Sequence, residues 1–143
     1  MTPEQAALTD PALRSQAERG SRTSVLEMQR STQRRGELGA FMRQFPQRYD
    51  LLLTPAVSVP AFEAKSTAAW GLSMENFLGW TPFSYPFNLT QQPAAVAPCG
   101  LTRAGLPMAV QVVGPMHGDA LVLRATRAFE STREWKLPVV PDT

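Results

Sequence analysis

Three aromatic residues and one amide near the middle of the chain have side-chain types that commonly line a small-molecule site: Trp80, Phe83, Tyr85 and Asn88. An aromatic wall with a few polar anchors is the usual composition of such a pocket. The same composition also suits packing within a core, and an asparagine can hold a loop by bonding to its backbone. The cluster is therefore a candidate substrate-binding surface, with core packing as the equal alternative.

Side chains that could act as a nucleophile or base are few and isolated. His117 is the only histidine, and no partner signature accompanies it, so we interpret it as a surface or capping residue. Cys99 is the only cysteine, and the sequence places no cation or helix start beside it that would activate it as a nucleophile. We interpret it as a small buried residue. No catalytic residue is predicted, and the single cysteine allows no internal disulfide, which favours a cytoplasmic location.

Composition argues against several function classes. The sequence has no pair of histidines or of cysteines and its acids are scattered, so no metal site is predicted. The sequence at 36–39, GELG, lacks the phosphate-loop motif, and no cofactor is predicted. Residues 14–48 hold eight arginines against three acids. No recognised module accompanies them, so a solvated face is favoured over nucleic-acid binding. No apolar run reaches the length of a membrane span, and the amino terminus lacks the pattern of a secretory signal.

The first third of the chain, residues 1–48, has the capping and periodicity of helices. Thr2 and Asp10 each precede a proline, which predicts two helix starts, and Gly20 is a candidate stop. Ser24 and Glu27 have the spacing of a capping box, so a longer helix should begin there and end near Pro46. Its apolar stripe is formed by Val25, Met28, Leu38, Phe41, Met42 and Phe45. Two glycines in this helix, at 36 and 39, weaken it and could permit close packing.

The remainder predicts a few strands around a long loop. The apolar run 51–53 is typical of a buried strand in a parallel or mixed sheet. Residues 55–93 are rich in proline and aromatics and predict an irregular section, with a possible short helix at 70–78. Strands at 94–98 and 108–113, joined by a turn with Gly105, predict an antiparallel hairpin. Asp119 should cap a final helix with an apolar face of Leu121, Val122, Ala125, Ala128 and Phe129. Three strands make a meagre sheet, so the pattern indicates a piece of a larger α/β protein.

Four stretches carry a resemblance to the amidase-signature family. They are 49–55 (YDLLLTP), 83–94 (FSYPFNLTQQPA), 98–100 with 105–114 (PCG and GLPMAVQVVG), and 118–125 with 129–130 (GDALVLRA and FE). In their order and spacing they resemble the strand, the loop segment, the hairpin and the closing helix of the carboxy-terminal part of that family. Gln91 and Ala109 stand where the family usually has glycine.

The resemblance implies one partial domain of the amidase-signature fold over residues 1–143. It divides into a helical lead-in at 1–48, an amidase core at 49–135 and a tail at 136–143. It also implies a substrate-pocket wall formed by Trp80, Phe83, Tyr85, Asn88 and Gln91. The family's chemistry uses a nucleophilic serine, a bridging serine and a lysine. This sequence has no two adjacent serines, and neither of its lysines, Lys65 and Lys136, lies in a fitting context.

Two functions remain open. In the first, the chain is a segment or subunit of an enzyme that hydrolyses carboxylic amides, and the catalytic half lies on another chain or has been lost. In the second, the chain is a non-catalytic, oligomeric scaffold whose exposed sheet edge and aromatic loop are covered by a second copy. A partner is therefore expected in both cases, either a catalytic half or the chain itself. Binding to nucleic acid or to a membrane is not expected.

Overall fold

A three-stranded antiparallel sheet lies at the centre of the structure, a computed structural model that describes residues 2–63, 79–132 and Glu134. The strands are β1 (Leu52–Pro55), β2 (Ala94–Leu101) and β3 (Pro107–Val113), in the order β1-β3-β2. The helices are α1 (Pro3–Ala7), α2 (Pro11–Ser21), α3 (Val25–Gln44), α4 (Tyr85–Thr90) and α5 (Asp119–Glu130). A 3-10 turn, Phe45–Gln47, follows α3. The possible helix at 70–78 and the tail at 136–143 lie outside the described residues.

Helix starts in the lead-in form where the capping residues predict them. The Asp10 carboxylate accepts from the backbone N–H of Ala12 at 2.8 Å, and α2 begins at the following proline. The Ser24 hydroxyl accepts from the backbone N–H of Glu27 at 3.2 Å, and Glu27 accepts from the backbone N–H of Ser24 at 2.8 Å. This reciprocal capping box is confirmed. The hydrogen bond from the Ser24 side chain, with help from the Ser24 backbone, lowers the pKa of the Glu27 carboxyl.

The predicted apolar stripe of α3 is buried at only one end. Met42 is buried, and Leu38 packs beside it against Phe87 and Val113. Phe41 remains exposed, and the first half of α3 leaves its apolar side chains in solvent, as shown by Val25, which is 72% exposed. The predicted stripe is therefore confirmed only in part, because in the described part α3 contacts the core only through its second half. α3 extends past Gly36, which has open space where a Cβ would lie, so close packing does not explain that glycine.

Gly36→Ala is expected to raise the free energy of unfolding by about 0.5–1 kcal/mol. The position is exposed and mid-helical, and an added Cβ meets nothing within 4 Å. The gain comes from the lower backbone entropy of alanine in the unfolded chain. Urea unfolding followed by circular dichroism measures this free energy. The reverse change Ala40→Gly in the same helix should lower the free energy of unfolding by a similar amount. A loss of stability in Gly36→Ala would contradict this expectation.

The hairpin is confirmed, whereas the predicted pairing and burial of the first strand are corrected. β2 and β3 pair antiparallel, and the loop closes through a 2.8 Å bond from the N–H of Thr102 to the carbonyl of Leu106. β1 also pairs antiparallel with β3, so the described sheet has no parallel pair and is not mixed. The expected buried strand is half-open, since Leu53 is 61% exposed. The physical reason is that β1 lies at the edge of the sheet, and α5 packs on β2 and β3 rather than on β1.

Helices cover the sheet on both faces. Val112 and Val113 point to opposite faces, and both are almost completely buried. Val113 packs with Met42 of α3 and Phe87 of α4. The opposite face lies against α5, whose Val122 is buried. These helices hold β3 firmly between two layers.

The closing helix α5 is confirmed, with two differences in detail. Asp119 is its first residue and makes no capping hydrogen bond, because Gly118 occupies the capping position. Ala128, expected on the apolar face, is exposed, while Thr126 is buried and donates its hydroxyl proton to the carbonyl of Val122 at 2.8 Å. That bond lets a polar side chain replace an apolar one in the helix face.

The described part of the chain leaves much apolar surface in water. Seven hydrophobic residues are buried there, whereas fifteen large hydrophobic side chains are exposed. Natural monomers rarely leave large contiguous apolar patches uncovered. Among the helices of the described residues, none combines the length and hydrophobicity needed to cross a membrane. In the described part, exposed large hydrophobic side chains thus outnumber buried hydrophobic residues, fifteen against seven.

Candidate functional site

A buried glutamine joins the end of β1 to the loop that carries the aromatic cluster. Gln111, on β3, is only 7% exposed. Its side-chain amide donates to the hydroxyl of Thr54 and to the backbone carbonyl of Phe83, both at 3.0 Å. Thr54 lies directly opposite on β1, so the strand register sets the first bond. The second bond fixes the loop at Phe83 beside the sheet.

The segment after Phe83 forms α4, a short helix within the region predicted to be irregular. Phe87 and Thr90 are its buried residues, and they anchor it against the core. The guanidinium Nε of Arg35 on α3 donates to the carbonyl of Leu89 at 2.9 Å, which ties α4 to the lead-in. The proline at 86, in the first turn, is compatible with a helix start, and this signal was available in the sequence.

The five predicted site residues form a continuous stretch around α4 but not one cavity. Trp80 and Phe83 are half-buried before the helix, and Tyr85 and Asn88 are exposed on it. Gln91 is exposed at its carboxyl end. Within the described residues, the side chain of Asn88 makes no hydrogen bond, so the alternative in which it holds the loop has no support. The five side chains remain a proposed pocket wall.

Gln91 has a left-handed backbone, with φ 60° and ψ 35°, as it terminates α4. Glycine adopts this conformation without the steric cost that a Cβ imposes. The departure from glycine noted in the sequence is therefore a strained position in the structure. The N–H of Gln91 still bonds to the carbonyl of Phe87, which closes the helix end.

Gln91→Gly is expected to raise the free energy of unfolding by about 0.5–1 kcal/mol, because it removes left-handed strain from an exposed residue. Urea unfolding of the purified chain provides the measurement. Gln91→Ala keeps a Cβ and hence the strain, so its free energy of unfolding should be close to that of the unmodified chain. Equal stability of the glycine and alanine variants would show that the backbone conformation is not the cause.

A cleft with a volume of about 790 Å³ lies at the end of the sheet in the described part. Its walls are β1, the loop after it and the turn end of the hairpin. The lining residues are Leu53, Thr54, Pro55, Val57, Ser58, Val59, Pro60, Val96, Pro98, Cys99, Thr102, Pro107, Met108, Ala109 and Val110. Most are apolar and none is charged. None of the five predicted wall residues lines this cleft, so sequence reasoning missed it.

Ser58 connects the cleft to the predicted wall. Its backbone N–H and its hydroxyl both donate to the carbonyl of Trp80, at 3.2 Å and 3.1 Å. The Trp80 ring meets the ring of Phe62 edge to face, with centroids 5.9 Å apart. The cleft and the aromatic stretch are thus neighbours, even though they do not share lining residues.

Cys99 lies in the cleft, whereas His117 lies in an exposed turn. Cys99 is the extra residue of a β-bulge between Pro98 and Gly100, is half-buried, and lines the cleft. His117 is exposed and has a positive φ of 64°, in the turn before α5. Among the described residues, no group of three or more His, Cys, Asp or Glu side chains comes together as in a metal site.

A sequence model of the family described as Amidase matches residues 5–123 of the chain. The chain belongs to the amidase family. Its resemblance to amidase-signature enzymes, and its fold class, are thereby confirmed. Gln111, which lies within the hairpin motif but was not a predicted site residue, joins β1 to the loop at Phe83 by two hydrogen bonds.

Relatives cover most of the chain but extend far beyond it. An acylamidase from Rhodococcus erythropolis is 33% identical over 118 residues, which are 80% of this chain and 24% of that protein. A glutamyl-tRNA(Gln) amidotransferase subunit from Geotalea daltonii is 38% identical over 95 residues, 66% of this chain and 19% of that protein. This amidase chain therefore spans about a quarter or less of the length of these relatives.

Solved structures give the same result in three dimensions. A bacterial aryl acylamidase of the amidase-signature family superposes with a TM-score of 0.76 and 26% identity. The superposition covers 90% of this chain and 27% of the other. The chain thus has the fold of one portion of an amidase, and it matches a fragment of such a hydrolase.

Proposed function

We propose that the chain supplies the sheet and the substrate-pocket wall of an amidase that hydrolyses carboxylic amide C–N bonds, and that it is not catalytic by itself. The observation that carries this proposal is the family match over residues 5–123 of a chain that spans only 24% of the acylamidase. The remaining part of the fold, with the reacting groups, would come from residues that this sequence does not contain.

The chemistry of amide hydrolysis supports this division of roles. An amide carbonyl must be attacked by an activated nucleophile with a base in hydrogen-bond reach, and donors must stabilise the oxyanion. The sequence contains no glycine- and serine-rich run that could supply a nucleophilic and a bridging serine, and its only lysines are Lys65 and Lys136. We therefore assign no catalytic residue to this chain.

The proposed wall consists of Trp80, Phe83, Tyr85, Asn88 and Gln91. Gln111 and Ser58 hold the beginning of this stretch by bonds to the backbone carbonyls of Phe83 and Trp80. Tyr85, Asn88 and Gln91 present exposed side chains that a substrate could reach once the catalytic portion is in place. An aromatic surface with two amides suits a neutral amide substrate.

Complementation tests this function. The chain alone should hydrolyse no amide. Coexpression with the Rhodococcus acylamidase from which the matching segment has been deleted should restore amide hydrolysis, as measured by ammonia or amine release. The deleted acylamidase without the chain is the control. Hydrolysis by the chain alone would overturn the assignment, and failure to restore activity in a complex that does form would count against the pocket wall.

A second candidate function, a non-catalytic oligomeric scaffold, draws support from the fifteen exposed large hydrophobic side chains. A second copy could cover them, including the open edge of β1. Sedimentation of the purified chain separates the candidates, since a stable oligomer without complementation favours the scaffold. A cooperative monomer at micromolar concentration would exclude it.

A partner and a location complete the proposal. The amidotransferase relative is by its name one component of an assembly, which supports a partner chain here as well. We place the protein in the cytoplasm, because its sole cysteine allows no internal disulfide. Fractionation of cells that express the tagged chain tests this location, and recovery from the extracytoplasmic fraction would refute it.

A further inference from the structure

We propose that the cleft at the sheet end binds the uncharged, apolar part of a carboxylic amide and so selects neutral amides with an apolar substituent. As an assignment of substrate class, this inference rests on the proposed function. The cleft volume of about 790 Å³ lies within the range of small-molecule sites, which is roughly 300–1,000 Å³. It adjoins the proposed wall through the bonds between Ser58 and Trp80.

The charge of the lining decides which ligands the cleft favours. None of its fifteen lining residues in the described part carries a formal charge. A ligand with a charged group would lose its hydration in this cleft without gaining an ion pair. The ligand part that enters is therefore neutral.

The three hydroxyl groups of the lining each make hydrogen bonds within the chain. The Thr54 hydroxyl donates to the carbonyl of Pro55 and accepts from Gln111, each at 3.0 Å. The Ser58 hydroxyl donates to Trp80, as described above. The Thr102 hydroxyl accepts from the backbone N–H groups of Ala104 and Leu106, at 3.2 Å and 3.1 Å. Because these hydroxyls already take part in hydrogen bonds and most other lining residues are apolar, the cleft recognises its ligand mainly by apolar contact.

Four large side chains that line the cleft are exposed, and covering them provides the driving force. They are Leu53, Val57, Val96 and Met108. Burying apolar area releases roughly 25 cal/mol per Å². An aryl or alkyl group seated here would cover parts of several of these side chains at once. An extended, flat surface would suit a protein partner better, but here the four side chains belong to one concave site.

Cys99 makes the cleft directly measurable, because the only cysteine of the chain lies in its lining. The rate at which N-ethylmaleimide modifies Cys99 should fall when 4-phenylbutyramide occupies the cleft. We expect about a tenfold decrease at about ten times the Kd of this amide. Acetamide, which has no large apolar group, and glutamine, a zwitterion with an ammonium and a carboxylate group, should give no protection at the same concentrations.

Variants that place a charge inside or outside the cleft test whether the protection of Cys99 depends on ligand binding in the cleft. Met108→Asp places a charge in the cleft and should abolish protection by 4-phenylbutyramide. Leu123→Asp is the matched control, because Leu123 is 64% exposed on α5 and does not line the cleft. It should retain full protection. If circular dichroism shows that Met108→Asp does not fold, Val57→Asp in the loop after β1 replaces it.

Several results would overturn the inference. These are absence of protection in the unmodified chain, protection that persists in the folded Met108→Asp or Val57→Asp variant, and equal protection by acetamide. A modification rate that falls with protein concentration without any amide would also overturn it, because a second copy would then cover the cleft. Protection together with failed complementation would retain the site and reject the proposed function, since the labelling uses the chain alone.

Discussion

Gln111→Leu is expected to lower the free energy of unfolding by about 2–4 kcal/mol. The side-chain amide of Gln111 is buried and satisfies two acceptors, the Thr54 hydroxyl and the Phe83 carbonyl. Leucine fills a similar volume but donates nothing, so both acceptors lose a partner inside the protein. An unmet buried acceptor costs about 1–3 kcal/mol, which sets the size of the effect. Urea unfolding measures it.

A double-mutant cycle separates lost hydrogen bonds from altered packing. Thr54→Val removes the hydroxyl acceptor, so Gln111→Leu should cost less in the Thr54→Val background than in the unmodified chain. Gln47→Leu, at an exposed position, is the control for replacing an amide by an apolar side chain and should change stability by less than about 0.5 kcal/mol. Strict additivity of the two substitutions would show that the Gln111–Thr54 bond contributes little.

The sequence predicted the helices and the hairpin whose decisive contacts join residues close together in the chain. The starts of α2 and α3 follow from Asp10 and Ser24, whose capping bonds join residues two or three positions apart. The hairpin follows from two apolar runs and a turn with Gly105, which has a φ of 78°. In each case the residues that make the decisive contact lie within one short window, so a pattern in the sequence is sufficient.

Contacts between distant residues explain what the sequence could not predict. Gln111 meets Thr54 across 57 positions and Phe83 across 28, so its role depends on the register of the folded sheet. The antiparallel pairing of β1 and its half-open face depend on which strand lies beside it. The cleft unites β1 with the hairpin turn, and no periodicity connects those segments. The aromatic residues were predicted as a site from their composition alone, whereas the cleft is lined mainly by aliphatic side chains and prolines.

Gly114→Ala is expected to lower the free energy of unfolding by about 1–3 kcal/mol. Gly114 follows β3 where the chain turns towards α5, and its φ is not in the left-handed region. The reason for glycine is space: an added Cβ would lie 2.5 Å from a methyl carbon of Val122. Val122 is buried and β-branched, so it has little freedom to move away. α5 must shift relative to the sheet to admit the methyl group.

Removing the obstructing methyl groups tests this explanation. Val122→Ala alone should destabilise the chain through a small cavity. In that background, however, Gly114→Ala should cost markedly less, because its Cβ no longer meets Cγ2 of Val122. If Gly114→Ala costs the same with and without the valine methyl groups, the close approach is not the cause. The backbone of Gly118, with its carbonyl oxygen 3.6 Å from the added Cβ, is an ordinary contact and cannot account for a large loss. A positive coupling would therefore identify the Gly114–Val122 contact as the point that sets how closely α5 packs on the sheet.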